Sequence, residues 1–189
     1  MERKIYKTLT DWKKNSAGKT ALLIDGARRV GKSYIAEKFA KTAYKSYILI
    51  DFNRVSDDVK NLFLHYLDDL DTLFMYLSGY YNVTLFERES LIIFDEVQLF
   101  PRARAAIKYL VADGRYDYME TGSLMSIRKN VQDIVIPSEE RHIKMYPMDF
   151  EEFLWAMGNE TLMNIIRVCW QQKKPLGQLL HRKDMDYFR

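Results

Sequence analysis

The stretch Ile24 to Ser33, which reads IDGARRVGKS, constrains this chain more than any other part of its sequence. It fits the pattern G-x-x-x-x-G-K-[ST]. Because glycine has no Cβ, such a loop curls until its backbone amides point inward at a polyphosphate. Lys32 then reaches the terminal phosphates, which makes it a catalytic candidate, and the Ser33 hydroxyl takes one position on Mg²⁺. The predicted nucleotide-binding residues are Gly26, Ala27, Arg28, Arg29, Val30, Gly31, Lys32, Ser33 and Tyr34.

The residues on either side of this loop favour the same interpretation. The apolar run TALLID precedes it with the length of a strand, and an apolar stripe at helical spacing follows it. A helix that starts at the end of the loop adds free N–H groups and a positive dipole end to a phosphate site. The pattern alone arises by chance in roughly one in a hundred chains of this length. The order of strand, loop and helix is therefore what favours a phosphate-binding loop over an ordinary glycine turn. A second G-K-T, at Gly18 to Thr20, precedes a strand instead, and we interpret it as a turn.

Composition bounds the number of domains and the cellular location. The chain has 189 residues, 48% of them hydrophobic, which suffices for one well-cored domain and a small second unit. No run of 18 apolar residues occurs, and the first residues, MERKIYKTLTDWKK, lack the apolar segment of a signal peptide. The single cysteine, Cys169, allows no internal disulfide, and its place on an apolar helix stripe predicts a buried, inert thiol. We therefore expect a cytoplasmic protein that does not span a membrane.

The charge pattern does not indicate a nucleic-acid surface or a zinc site. The net charge is +3, from 29 basic and 26 acidic residues, which is too balanced to argue for nucleic-acid binding by itself. The histidines His65, His142 and His181 are scattered and have no zinc-ligand spacing with the cysteine.

Strand-like and helical segments alternate along the chain, which predicts a parallel sheet with helices on both faces. The predicted strands are Thr20–Asp25, Ser46–Asp51, Leu91–Phe94, Arg115–Thr121 and His142–Tyr146. The fourth of these is the weakest because Asp117 interrupts its apolar run.

The predicted helices have recognisable ends. Apolar residues from Ile5 to Trp12 predict a short amphipathic helix that lies on the sheet or near a nucleotide base. The segment from Ser56 to Gly79 keeps a helical period, with a break at Asp68-Asp69 and a stop at its final glycine. Asp149, with a glutamate three residues later, predicts a capping-box start for a later helix.

Polar residues follow three of the predicted strands, and the carboxyl ends of parallel strands meet at one edge of a sheet. Asp95 ends an apolar strand and is placed to support Mg²⁺ on bound phosphates. Glu96, the next residue, is the candidate general base for an attacking water. The alternative is that this Asp-Glu pair is only the solvated end of a strand. Downstream of a phosphate loop, we favour the catalytic interpretation.

Two hydroxyls at the end of the fourth strand are candidate sensors of the nucleotide. Thr121 or Ser123 would bind the γ-phosphate or the attacking water. The structural alternative is a turn in which Ser123 caps a following helix. Neither the role nor the choice between the two hydroxyls is decided by the sequence.

A transition-state cation is the remaining catalytic element, since an inserted arginine accelerates phosphoryl transfer by roughly 10³ to 10⁵. Arg141, just before the fifth strand, is the first candidate for this catalytic role. Arg128 and Arg102 are weaker candidates. In the alternative interpretation, which we favour for each of the three, they are ordinary surface residues.

The segments GARRVGKS, LIIFDEVQ, ETGSLMSI and MYPMDFEEFL, in this order, resemble those of the AAA-type (AAA+) P-loop ATPases. The likeness is greatest to a group of prokaryotic AAA ATPases with GxRQVGKT-like, DEIQ-like, TGS-like and YPLSFxEFL-like segments. It covers about residues 3 to 157. The first two segments are shared by many ATPases, whereas Gln98 and the YPMDFEEF segment are specific to the group.

The resemblance implies an α/β fold with a three-layer α/β/α P-loop NTPase core, a five-stranded, mainly parallel sheet and a C-terminal helical extension. Residues 1–157 would form the ATPase core and residues 158–189 the extension. ATP and Mg²⁺ are the implied cofactors. Lys32 and Ser33 would be Walker A ligands, Asp95 the Walker B partner of Mg²⁺ and Glu96 the catalytic glutamate. Thr121 to Ser123 would hold the first sensor position.

The chain departs from this group in two respects. Members have Gly-Arg before the fifth strand, whereas Glu140-Arg141-His142 stands here, which leaves the role of Arg141 open. Members also continue into a winged-helix-like region and a nuclease-like domain, so we expect the chain to be a fragment or a truncated product. DNA or protein partners would bind through that missing region, and the resemblance also allows a homo-oligomer.

These observations leave three hypotheses for the function. The first is a Mg²⁺-dependent ATPase whose hydrolysis drives a conformational change. The second is a nucleotide-gated regulatory or DNA-associated switch with little hydrolysis of its own. A small-molecule kinase is disfavoured because no acceptor pocket is evident, and a guanine preference because no N-K-x-D occurs.

Overall fold

The structure is a computed structural model that describes residues 2–123, 139–185 and 187. Within these residues the strands, β1 to β5, span Ala21–Gly26, Ser46–Asp51, Ser90–Asp95, Asp117–Gly122 and Glu140–Met145. The helices, α1 to α8, span Ile5–Ser16, Lys32–Ala43, Asp57–His65, Leu70–Tyr81, Pro101–Asp113, Phe150–Ala156, Glu160–Gln171 and Gln178–Met185. A 3₁₀ turn, Val97–Leu99, connects β3 to α5.

All paired strands of the sheet run parallel, in the order β2-β3-β4-β1-β5. The predicted five-stranded sheet is therefore confirmed. Because β4 lies between β1 and β3, the carboxyl ends of these three strands are neighbours. Asp25 of β1 pairs with Gly122 of β4, and Phe94 of β3 pairs with Glu120 of β4. The polar residues that follow each strand therefore leave the sheet at one edge.

Helices cover both faces of the sheet, which confirms the predicted three layers. On one face, α1 and α2 bury Trp12 and Phe39 against side chains of β1, β3 and β4. On the other face, α3 to α5 enclose a cluster that includes the rings of Phe52, Phe63 and Phe94. Each fully buried side chain of this kind stabilises the fold by about 1.5–3 kcal/mol, so both helical layers are firmly attached to the sheet.

The N-terminal helix α1 packs on the sheet, which is one of its two predicted placements. Leu9 and Trp12 are buried, and the Trp12 indole N–H donates to the Thr20 carbonyl oxygen at 3.2 Å. The ring of Tyr6 meets Phe39 of α2 edge to face at 5.5 Å. These contacts hold α1 beside α2, the helix that follows the phosphate loop.

The predicted end of α4 is wrong. The helix does not stop at Gly79 but continues to Tyr81, and Asn82 follows in the left-handed conformation with φ 51°. The Val83 N–H then donates to the Ser78 carbonyl oxygen at 3.0 Å. Asparagine tolerates this conformation better than most residues, so it ends the helix as a glycine would.

Asp117 begins β4 rather than interrupting it as expected. Its buried carboxylate accepts hydrogen bonds from the Tyr44 hydroxyl and from Arg88, both at 2.7 Å. These donors offset the cost of burying the charge. Arg88 reaches Asp117 across Gly18, where a Cβ would collide with the guanidinium. The second G-K-T of the sequence lies in a turn, as predicted, in which the Lys19 N–H donates to the Ser16 carbonyl oxygen at 2.9 Å.

Met1–Lys4 and Met148–Arg189 form one compact unit, and Ile5–Pro147 form another. In the smaller unit, α6 begins with the predicted capping box. The Asp149 side chain accepts from the Glu152 N–H at 2.9 Å, and the Glu152 side chain accepts from the Asp149 N–H at 3.2 Å. This division describes compactness alone, so the functional boundary near residue 157 stays a prediction.

Helix α7 exposes much of its apolar surface. Cys169 is only partly buried, which corrects the expectation of a buried thiol, and its neighbours Val168 and Trp170 are exposed. Leu162 is the buried residue of this helix. None of the helices in the described ranges has the length and apolarity needed to cross a bilayer.

Candidate functional site

The phosphate loop leaves β1 through a point where only glycine fits. A Cβ on Gly26 would collide with the carbonyl oxygen of Met145, at the end of the neighbouring strand β5. Gly31, with φ 95°, adopts the left-handed conformation directly before α2, and α2 begins at Lys32. The loop thus delivers the free N–H groups of the first turn of α2 to its concave side, which suits an anion.

The ammonium of Lys32 is held inside this loop. The residue is 5% exposed, and its Nζ donates to the carbonyl oxygens of Gly26 at 3.2 Å and Ala27 at 2.9 Å. Both hydrogen-bond partners are neutral carbonyls, so no carboxylate of the described residues is hydrogen-bonded to the ammonium. The loop therefore presents one fixed positive charge to the space where phosphates would lie.

Burial lowers the pKa of Lys32, because the charged form loses hydration. The carboxylates of Glu96, Asp95 and Asp25 oppose this decrease. The ammonium and three carboxylates therefore act on one another at this edge of the sheet. Asp25 was not among the predicted site residues, although it directly precedes Gly26 and is buried.

Asp95 joins the phosphate loop to β4. Its carboxylate Oδ1 accepts a hydrogen bond from the Ser33 hydroxyl at 2.7 Å and another from the Thr121 hydroxyl. Asp95 is 7% exposed, and no ammonium or guanidinium of the described residues forms an ion pair with it. A buried carboxylate with two hydroxyl partners and no direct ion pair is suited to a cation.

The structure distinguishes between the two candidate hydroxyls. Thr121 is fully buried and bonds to Asp95, whereas Ser123 lies one residue beyond β4, is partly exposed and makes no such bond. A helix capped by Ser123 would fall within residues 124–138, outside the described residues. Thr121 is therefore the hydroxyl that the fold brings to the other predicted site residues.

Glu96 follows Asp95 in an unusual backbone conformation, with φ 54° and ψ 43°. Its N–H is 3.4 Å from the Thr121 hydroxyl oxygen, and its side-chain Oε2 accepts a hydrogen bond from the amide of Gln98. Gln98 entered the sequence interpretation only as a mark of the family. Its contact with Glu96 follows from the 3₁₀ turn, which the residue pattern did not reveal.

The predicted arginines are not brought to this cluster. Arg141 is exposed and pairs in register with Leu22, four residues before Met145 reaches Gly26. At about 3.3 Å per residue, the backbone of Arg141 is roughly 13 Å from that end of the strand. The register thus sets the backbone of Arg141 back from the phosphate loop of its own chain, and its catalytic role stays a prediction.

Of the two weaker arginine candidates, only one lies within the described residues. Arg102 is exposed in the first turn of α5, which follows the 3₁₀ turn after β3. Arg128 lies outside the described residues. The catalytic roles of Arg102 and Arg128 therefore stay predictions.

The outer residues of the loop are exposed: Ala27, Arg28, Arg29 and Tyr34. Arg29 has φ 64°, a conformation that non-glycine residues rarely adopt. Two guanidinium groups beside the concave loop add positive potential for an anion. That Arg28 and Arg29 belong to the nucleotide site stays a prediction.

The donor set at Asp95 fits Mg²⁺ bound to phosphate. It consists of oxygen atoms, from Ser33, Asp95 and Thr121, and Mg²⁺ prefers oxygen ligands. The described residues contain no group of three or more acidic, histidine or cysteine side chains able to hold a metal ion by themselves. Mg²⁺ commonly keeps waters and phosphate oxygens as ligands, so one carboxylate and one hydroxyl suffice.

Comparison with known proteins identifies one family. Residues 18–154 match the model of a family described as the AAA domain, and this span includes every predicted site residue. No protein of curated function matches the chain significantly. The solved structure of C. elegans PCH-2 is similar, with a TM-score of 0.38 and 14% identity, over 88% of this chain and 43% of that one. The aligned part thus spans less than half of PCH-2.

Proposed function

The chain belongs to the AAA domain family, and on that basis we propose that it binds ATP with Mg²⁺ and hydrolyses it, coupling nucleotide state to a conformational change. Family membership establishes the coarser part, a nucleotide-binding domain of the ATPase type. Hydrolysis, the metal requirement and the coupling are our proposals. Cytoplasmic location, homo-oligomer formation and a DNA or protein partner also stay predictions.

The single observation that carries this proposal is the hydrogen-bonded junction at Asp95. It joins Ser33 from the phosphate loop to Thr121 at the end of β4, beside the buried ammonium of Lys32. Buried charges are usually paired with an opposite charge or bound to a metal. Asp95 instead has two hydroxyls, which are the partners expected around a phosphate-bound metal.

Each residue of the site has a proposed role. The loop amides and Lys32 bind the β- and γ-phosphates and neutralise part of their charge. Ser33 and Asp95 would hold Mg²⁺, which stabilises the negative charge on the phosphates when it is bound. Glu96 orients a water and takes its proton, because a carboxylate next to the site is a competent general base. Thr121 reports the γ-phosphate through its bond to Asp95.

The proposed coupling follows the same hydrogen bonds. Thr121 donates to Asp95, and its hydroxyl oxygen lies near the N–H of Glu96. When a γ-phosphate or metal binds Ser33 or Asp95, the hydrogen bonds available to the Thr121 hydroxyl change. The ends of β3 and β4 therefore respond together to the nucleotide.

The decisive experiment replaces Glu96 by glutamine. We expect turnover to fall by roughly 10² to 10⁴ while the Kd for MgATP changes little, because the base acts on water and not on the phosphates. Glu87→Gln, the same change at an exposed position of the chain, is the matched control and should leave both quantities unchanged. Equal turnover in Glu96→Gln and wild type would remove Glu96 from the mechanism.

The second candidate, a nucleotide-gated switch with little hydrolysis, is favoured by the position of Arg141. The register sets the backbone of this arginine four residues back from the strand end beside Gly26, and a site without a transition-state cation would hydrolyse ATP slowly. Turnover should be compared with and without duplex DNA at a fixed salt concentration. Full turnover of the isolated protein would argue against the switch, and tight ATP binding without turnover would argue for it.

A further inference from the structure

The turn after β3 fixes where Glu96 places its side chain. Glu96 has a left-handed backbone conformation and directly precedes the 3₁₀ turn Val97–Leu99. The Leu99 N–H donates to the Glu96 carbonyl oxygen at 2.9 Å, which closes the turn. Non-glycine residues adopt this conformation at an energetic cost, and such residues often occur at functional sites. The backbone therefore sets one direction for the Cβ of Glu96.

Gln98 completes this arrangement from within the turn. It is 6% exposed, and its side-chain amide donates a hydrogen bond to Oε2 of Glu96. A buried side chain has already lost most of its rotamer freedom, so the donor is in place before any substrate arrives. The bond engages one carboxylate oxygen of Glu96, and the other oxygen is the one that would take a proton from water.

We propose that Gln98 is a positioning residue, which holds the carboxylate of Glu96 in the orientation needed to activate water. This inference rests on the proposed ATPase function. It accounts for an amide at this position, since an amide donates to a carboxylate and carries no charge that would compete with Lys32. A glutamate of the same shape could not donate when ionised and would repel Glu96.

The test compares Gln98→Glu with Gln98→Met, in wild type and in Glu96→Gln. At pH 8, we expect both single variants to lose about tenfold or more in kcat, because a base displaced by about 1 Å loses up to roughly 10² in rate. The KM and the Kd for MgATP should stay within about twofold, since Gln98 acts through Glu96 and not on the phosphates.

The pH profile separates positioning from space-filling. A protonated glutamate at position 98 can donate as the amide does, so the deficit of Gln98→Glu relative to wild type should shrink as the pH falls toward 5. Gln98→Met has no donor and should show the same deficit at every pH. Lys32 and Asp95, the charged groups near Glu96, are present in wild type, and normalising to wild type removes their contribution.

Each outcome supports or overturns a distinct statement. An inactive wild type that binds ATP would overturn both the proposed hydrolysis and this inference. An active wild type with an equally active Gln98→Met would overturn the inference alone. A deficit of Gln98→Glu that is independent of pH and accompanied by weaker ATP binding would show a structural role instead.

A double-mutant cycle adds a measurement that does not depend on Gln98→Glu folding. If Gln98 acts through Glu96, Gln98→Met should lower the residual turnover of Glu96→Gln by less than about twofold. A further tenfold loss in that background would contradict the proposed route. Circular dichroism of all variants checks that they share the wild-type fold.

Discussion

Two buried aspartates on adjacent strands, Asp95 of β3 and Asp117 of β4, lie at opposite edges of the sheet. Asp117 is bonded by the Tyr44 hydroxyl and by Arg88, whose guanidinium neutralises it. Asp95 is bonded by two hydroxyls, and no such cation of the described residues pairs with it. The difference shows how to separate a carboxylate that completes the fold from one that is kept for a ligand.

A glycine lies close to other atoms at both edges of the sheet, but the atoms that a Cβ would contact differ between the two. At the amino edge, a Cβ on Gly18 would collide with the guanidinium of Arg88, and at the carboxyl edge a Cβ on Gly26 would collide with the backbone of Met145. A side chain can move away and a sheet backbone cannot. The phosphate edge is therefore the less tolerant of the two.

The largest expected effect is on the function of Asp95. Asp95→Asn should reduce ATP turnover by roughly 100-fold or more, because the charge that supports Mg²⁺ is lost. The thermal unfolding temperature should change little, because Asp95 makes no direct ion pair with the described residues and an asparagine oxygen can still accept from Ser33 and Thr121. Steady-state turnover against Mg²⁺ concentration, together with thermal unfolding, measures both. A large loss of stability would place Asp95 in the same structural class as Asp117.

The next largest effect, on stability, is expected where Gly26 lies against the backbone of Met145. Gly26→Ala should destabilise the fold by about 1–3 kcal/mol and weaken ATP binding, because β1 and β5 must separate to admit the methyl group. The matched control is Gly79→Ala, in an open part of α4, where alanine should stabilise by up to about 1 kcal/mol. Denaturant unfolding measures the two free energies. Equal effects at both positions would contradict the tight contact with Met145.

The opposite edge gives the complementary prediction. Asp117→Asn should lower the free energy of unfolding by about 2 kcal/mol, because Arg88 and Tyr44 lose a charged acceptor; the partial exposure of Arg88 limits the loss. The Kd for MgATP should not change. Asp11→Asn, an exposed change on α1, is the control. If Asp117→Asn weakened ATP binding without lowering stability, Asp117 would be a ligand-binding rather than a structural carboxylate.

A smaller effect, on the pH dependence of the free energy of unfolding, is expected at Glu120. This fully buried carboxyl neighbours Thr121 in sequence, and burial, followed by the nearby Glu140, raises its pKa well above the ordinary 4.5, while Arg104 lowers it. Glu140 also contacts Arg104 and His142. Since the folded state binds this proton more tightly than the unfolded state, the stabilising contribution falls as the pH rises above about 4.5.

Glu120→Gln removes this titration. The free energy of unfolding of the variant, relative to wild type, should therefore rise with pH, by at most about 1.4 kcal/mol per unit. Urea unfolding of both proteins between pH 5 and 9 checks the slope, with Glu87→Gln as the exposed control. A difference that does not vary with pH would mean that Glu120 is already ionised in the folded protein.

The sequence predicted the carboxyl edge better than the amino edge, for a physical reason. Gly26 to Ser33 and Asp95 lie in local patterns whose chemistry is legible residue by residue. Asp117 was interpreted as a strand breaker because its partners, Tyr44 and Arg88, are 73 and 29 residues away. Long-range partners decide whether a polar residue fits a strand, and a local pattern does not contain them.

Two features of the site itself also depended on the fold. The choice between Thr121 and Ser123 required the direction of each side chain at the end of β4. The displacement of Arg141 required the register of β5 against β1, which pairs it with Leu22. The sequence showed that an arginine precedes the fifth strand. It did not show which residue of β1 that arginine pairs with.

Calorimetric titration of the protein with MgATP tests the central claim, that the loop and Lys32 hold a nucleoside triphosphate, most directly. Wild type should release or absorb heat with a one-to-one stoichiometry, and Lys32→Ala should show none at the same concentrations. Binding heat that is unchanged in Lys32→Ala, or absent from the folded wild-type protein, would contradict the account.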